Sequence, residues 1–103
     1  MIAEKVEKLA KAKKRLMNEN IIVFTSDVDW ASEYAVESVL KVVKNYNILM
    51  TVFLTHPSHV LDAAIKENRV QGGLHPNFTE NSSQGDTFED VIKYCFALYP
   101  QAE

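Results

Sequence analysis

The chain has 103 residues, 47% apolar and 24% charged, with one cysteine and a net charge of −3, which suits one globular domain and excludes an internal disulfide framework. The charge is too mild to argue for nucleic acid, and the longest nearly apolar run, 48–54, is far short of the roughly 20 residues that cross a bilayer. Glu4, Lys5, Glu7 and Lys8 stand where a signal peptide would need an apolar core, so the expectation is a cytoplasmic protein with no nucleic-acid or membrane partner.

Ile2, Val6, Leu9, Leu16 and Met17 fall near one helical face, with lysines and glutamates elsewhere. They predict an amphipathic N-terminal helix that occupies residues 1–19 as a unit of its own, ended by Asn18 and Asn20. The cluster Lys11, Lys13, Lys14 and Arg15 lies among glutamates and reads as a solvated face. Residues 20–103 form the second unit. Its first run, Ile21-Ile22-Val23-Phe24-Thr25, has the pattern of a strand buried on both faces, over about 21–26. A helix follows, beginning after Asp29 or after Ser32. Its stripe Val36, Val39, Leu40 and Val43 faces a sheet, and Asn45-Tyr46-Asn47 stops it.

A second buried strand is predicted over 48–55, and Pro57 suits the first turn of a third helix with Val60, Leu61, Ala64 and Ile65 inward. A third strand over 70–75 is loosened by Gly72 and Gly73. The stretch 79–86 is polar and reads as a loop. Thr87 with Asp90 has the form of a capping box, and Phe88, Val91, Ile92, Cys95 and Tyr99 stripe a last helix. Strands alternating with helices give parallel βαβ units with right-handed crossovers. The fold class is therefore α/β: a partial, (β/α) barrel-like parallel sheet of about three strands flanked by helices.

Ligands of parallel α/β sheets bind just beyond the carboxyl ends of the strands. Those ends are Asp27-Val28-Asp29-Trp30, Thr55-His56 and His75-Pro76-Asn77. Carboxylates and imidazoles together are a donor set for zinc or another divalent transition metal. Asp27 and Asp29 are two residues apart, which on an extended strand puts both on one side. Two carboxylates that close raise each other's pKa unless a cation intervenes, and one could then hold the metal while the other acts as a base. The plainer alternatives are that Asp29 caps the next helix, that Asp27 pairs with a lysine, and that His75 is a structural histidine. His56 either starts a helix or lines the pocket, His59 is exposed and without a role, and Trp30 walls a sugar-sized site or packs at its rim.

The segment Phe24-Thr25-Ser26-Asp27-Val28-Asp29, a helix, the strand from Tyr46 through Thr55, and Gly73-Leu74-His75 together resemble the NodB-homology polysaccharide deacetylases. Within them the chain is most similar to a branch carrying Asp-Val-Asp-Trp, Thr-His and His-Pro-Asn-Phe, from about residue 21 onward. The resemblance implies a hydrolase that uses a divalent metal, zinc by preference, to remove N- or O-acetyl groups from sugar polymers. It makes Asp27 the general base and Asp29 and His75 metal ligands, with Trp30, His56 and Asn77 in substrate-binding or supporting positions. The family's second metal histidine falls at Thr79, so Asn77, His56 or waters would complete the shell. The later arginine and acid-histidine motifs have no counterpart before Glu103. The alternative is a truncated, non-catalytic α/β domain that acts by assembly with another chain or has no activity. In either case the open sheet edge is a place for self-association.

Overall fold

The computed structural model describes residues 2–102. Its elements follow in the order α1 (Ile2–Asn18), β1 (Phe24–Asp27), α2 (Glu33–Asn45), β2 (Met50–Leu54), α3 (His59–Lys66), β3 (Val70–Leu74) and α4 (Phe88–Leu98). The strands form one parallel sheet ordered β1-β2-β3, with Phe24 opposite Met50 and Met50 opposite Val70. The architecture is α/β, as the alternating pattern predicts, and the sheet is open rather than closed into a barrel.

Side chains alternate across the sheet. On β2, Met50, Val52 and Leu54 are buried and meet Val36, Leu40 and Val43 of α2, Leu61 and Ala64 of α3, and Val70 of β3 in one core. The opposite face carries Thr25, Asp27, Thr51, Phe53 and Gln71, none of them buried. Gly72 and Gly73 leave β3 in full register with β2. They supply room instead: a Cβ at Gly73 would sit 2.7 Å from the Phe53 ring, and one at Gly72 would sit 2.9 Å from Ile65.

Three expectations need correction. Residues 21–26 are not a strand buried on both faces. Pairing begins at Phe24 because the Ile48 N–H bonds to the Val43 carbonyl at 2.9 Å, holding that segment in the exit turn of α2. Ile21, Ile22 and Val23 therefore lack a β2 partner, and β1 is an exposed edge strand. Pro57 does not enter the first turn of α3; buried Ser58 caps that helix, its Oγ accepting from the Leu61 N–H at 3.1 Å. Of the α2 stripe, Val39 stays exposed, as do Phe88 and Ile92 of the α4 stripe.

The amphipathic helix expected at the N-terminus is present as α1, and its apolar stripe covers nothing: no residue of the helix is buried. The Cα radius of gyration, 15.4 Å, exceeds the roughly 13 Å of a compact chain of this length. Elsewhere the local signals agree with the structure. Ser32 caps α2 through the Ala35 N–H, Thr87 caps α4 through the Asp90 N–H, and Asn47 adopts φ 51° after α2.

Candidate metal centre

β1 ends at Asp27, so strand alternation does not bring Asp29 beside it. The backbone turns instead: Asp29 and Trp30 both lie in the left-handed region, at φ 44° and 58°. Such a conformation is tolerable for Asp but costs a bulky residue on the order of 1–3 kcal/mol, so it needs support. The Trp30 N–H donates to Thr55 Oγ1 at 3.2 Å, and the Ala31 N–H donates to the Val28 carbonyl at 2.9 Å. The next bond identifies the role of His56. Its Nε2 meets the Ala31 carbonyl at 3.2 Å, which can only accept, so Nε2 carries the proton. Nδ1 then takes the Thr55 hydroxyl at 2.9 Å. Both ring nitrogens are occupied in bracing the turn, and neither is left for a metal.

His75 follows β3, its N–H extending the ladder to the Leu54 carbonyl at 3.1 Å. Its Nε2 stands 3.5 Å from Asp27 Oδ2 and 3.5 Å from Asp29 Oδ1. One donor atom from each of the three residues falls within 4.8 Å of the other two. The 3.5 Å separations are long for N–H···O hydrogen bonds. They equal the roughly 3.3–3.6 Å between neighbouring ligand atoms around a zinc ion with bonds of about 2.0–2.2 Å. Neither aspartate pairs with a lysine or arginine among the described residues, so their charges meet only the imidazole. Asp29 does not cap α2, a task Ser32 performs. The donor set therefore fits a divalent cation in chemistry and charge, and the two separations from His75 fit one in size.

A fourth protein ligand is absent among the described residues. The Asn77 Oδ1 accepts from the N–H and hydroxyl of Thr79, at 3.1 and 2.6 Å, within its own turn. Thr79 itself is exposed. Remaining coordination positions would belong to water or substrate, the condition for a catalytic rather than a structural site.

The residue that sequence reasoning missed is Gln84. It is 4% exposed, and its Nε2 donates to the carbonyls of Thr55 at 2.9 Å and His75 at 3.1 Å. Its Oε1 accepts from the Asn77 N–H at 2.7 Å and from Cys95 Sγ at 3.6 Å. One side chain thus fastens the ends of β2 and β3 and the loop that carries His75. Burial pushes the Cys95 thiol above its ordinary pKa, keeping it a protonated donor to Gln84. Nothing in the polar run 79–86 distinguishes this glutamine from its neighbours.

The family model of the WbmS-like polysaccharide deacetylases matches residues 24–103. The chain belongs to this family. The match covers the sheet, Asp27, Asp29, His75 and α4, and leaves α1 outside. A solved structure from Bordetella bronchiseptica, described as a candidate polysaccharide deacetylase involved in O-antigen biosynthesis, shares the fold with a TM-score of 0.69 and 21% identity. The likeness covers 78% of this chain and 34% of that one, so the chain spans about a third of its solved neighbour. No functionally curated protein matches it. The deacetylase-like fold accounts for the carboxyl-end location of Asp27, Asp29 and His75, the rim at which parallel α/β sheets carry their chemistry.

Proposed function

We propose that this domain is the metal-binding end of a deacetylase-like hydrolase that removes acetyl groups from a carbohydrate by cleaving an amide or ester bond. The observation that carries the reading is the convergence of Asp27, Asp29 and His75, with no lysine or arginine among the described residues pairing with the two carboxylates. Asp29 and His75 would hold the metal, zinc by its preference for mixed oxygen and nitrogen ligands. A divalent cation there supplies Lewis acidity, which polarises a carbonyl and acidifies water. Asp27 acts as the general base: it takes a proton from the water that adds to the acetyl carbon and can return it to the leaving nitrogen or oxygen. Gln84 and the Thr55–His56 pair act through position, fixing the loops from which His75 and Asp29 project.

Zinc and cobalt titrations by calorimetry and by cobalt absorption test the first half. One equivalent should bind the wild-type chain, with Asp29→Asn and His75→Ala weaker by about a hundredfold. Asp27→Asn should keep metal binding yet release no acetate from an N-acetylated oligosaccharide. Equal affinity in the wild type and both ligand variants would end the metal reading.

A second reading is favoured by the sheet face that carries Thr25, Thr51, Phe53 and Gln71 without burying them, and by the open β1 edge. Parallel sheets are ordinarily covered on both faces. On this reading the domain acts by assembly, with another chain or a second copy along that edge. Metal binding without acetate release by the chain alone would support it.

A further inference from the structure

The helix α1 carries two features that the metal centre does not use. Its large apolar side chains, Ile2, Val6, Leu9, Leu16 and Met17, are each more than half exposed. Around the helix axis they fall in one sector of about 100°. The second feature is charge. Six lysines and arginines against two glutamates give residues 2–18 a charge of +4, which leaves −7 on the rest of the chain for the total of −3. These cations divide by face. Lys8, Lys11 and Arg15 pair with Glu4, Glu7 and Glu19 at 4.0, 3.1 and 3.3 Å, on the side away from the apolar stripe. Lys5, Lys13 and Lys14 pair with no acid among the described residues. Lys13 stands within the stripe, and Lys5 and Lys14 border it on either side. A lysine so placed lays its methylenes on apolar surface and lifts its ammonium to the polar boundary.

We propose that α1 is an in-plane anchor for an anionic phospholipid surface, with Ile2, Val6, Leu9, Leu16 and Met17 among the acyl chains and Lys5, Lys13 and Lys14 on the head-group phosphates. An apolar stripe bounded by unpaired lysines fits a layered partner, hydrocarbon beneath negative charge. A nucleic-acid duplex offers the charge without the hydrocarbon. A second α1 offers the hydrocarbon but brings a further +4. The helix is about 25 Å long, and no described helix is long and apolar enough to cross a membrane, so α1 lies flat. The expectation of no membrane partner came from the short apolar runs of the sequence, which bear on spanning and not on lying flat. The family match begins at residue 24, so the anchor is separate from the shared domain. The −7 of the remainder turns that domain away from the same surface and leaves α1 as the side that docks. An unpacked helix of 17 residues is marginal in water, and docking its apolar face consolidates it.

Co-sedimentation of the full chain with vesicles of phosphatidylcholine and phosphatidylglycerol in equal parts should show saturable binding. Circular dichroism should show added helix on the same vesicles. Each lysine near an anionic surface contributes about fivefold in affinity. Pure phosphatidylcholine vesicles, or a variant with Lys5→Gln, Lys13→Gln and Lys14→Gln together, should therefore bind about a hundredfold more weakly. Leu9→Glu should lose more than about tenfold, with an unchanged urea midpoint because no residue of α1 is buried in the free chain. Absence of binding, equal binding to both kinds of vesicle, or equal binding by Leu9→Glu would each overturn the anchor. Tighter binding to duplex DNA than to the mixed vesicles would overturn it as well, making α1 a nucleic-acid contact. Self-association that Leu9→Glu abolishes, without vesicle binding, would give the stripe to a second copy and overturn it too. None of these readouts involves zinc or acetate, so the anchor and the deacetylase reading fail separately.

Discussion

The carboxyl rim of the sheet and the amino-terminal lead-in of the chain invert the usual rule of burial in opposite senses. At the rim, polar Thr55, Ser58 and Gln84 are buried. In the lead-in, apolar Leu9, Leu16, Ile22 and Val23 are exposed. Burial of a polar group costs free energy only when its hydrogen bonds are unmade. Here every buried side-chain nitrogen and oxygen among the described residues has a partner. An apolar stripe, in turn, gains nothing without a facing layer, and α1 faces none.

The sharpest form of that contrast is a pair of leucines. Leu54 is 1% exposed at the carboxyl end of β2, and Leu9 is 69% exposed on α1. Leu54→Ala should cost about 3–4 kcal/mol through lost transfer energy and the cavity left behind. Leu9→Ala should stay within about 0.5 kcal/mol. Urea melts of both variants read the difference. A comparable loss for Leu9→Ala would mean that α1 is packed in solution, and the comparison would break.

A smaller effect isolates the polar side of the rim. Gln84→Leu keeps the volume but leaves the Thr55 and His75 carbonyls and the Asn77 N–H without this partner. Stranded buried groups of this kind cost about 2–3 kcal/mol in total, and loss of the tether on His75 should lower zinc affinity about tenfold. Denaturant melts and zinc calorimetry on the one variant check both outcomes. An unchanged zinc affinity beside a lowered melt would make Gln84 purely structural.

How much of this could be read in advance depends on the range over which each signal acts. Local signals were legible: Ser32, Thr87 and Asn47 act on backbone within three residues, Ser32 being one of the two helix starts the pattern allows and Thr87 and Asn47 lying where it predicts. Strand existence was legible too, because β-branched runs between helices have few other uses, and β3 spans Val70–Leu74 despite its glycines. The burial of β1 was not. Ile21-Ile22-Val23 has an interior composition, but its exposure depends on where β2 begins, which the Ile48–Val43 bond decides 25 residues later. The meeting of Asp27 and His75 was legible, since parallel strand order brings the carboxyl ends of β1 and β3 to one rim. The construction of the site was not. Asp29 arrives by two left-handed residues rather than by alternation, and Gln84 reaches both strand ends from a loop whose polarity resembles ordinary solvent exposure.

The smallest predicted effect lies at the junction between the rim and the helices behind it. Glu33, in the first turn of α2, accepts a hydrogen bond from the Val60 N–H of α3 at 3.0 Å. The Ser58 hydroxyl first, then the Val60 N–H, hold the Glu33 carboxyl below its ordinary pKa of 4.5, with His59 and His56 adding a smaller push in the same direction. A carboxyl depressed in the folded state binds protons less readily there than in the unfolded chain. Its stabilising contribution is complete above the unfolded value near 4.5 and declines as pH falls through the lower folded value. Because Glu33 is exposed, solvent screening keeps that contribution small. Glu33→Gln should therefore lower the urea midpoint slightly at about pH 7 and leave it unchanged at the acidic end of the titration, where the wild-type carboxyl is protonated. The two stability curves should converge as pH falls. Curves that stay parallel from neutral to acid would show that the Glu33 charge does not link α2 to α3.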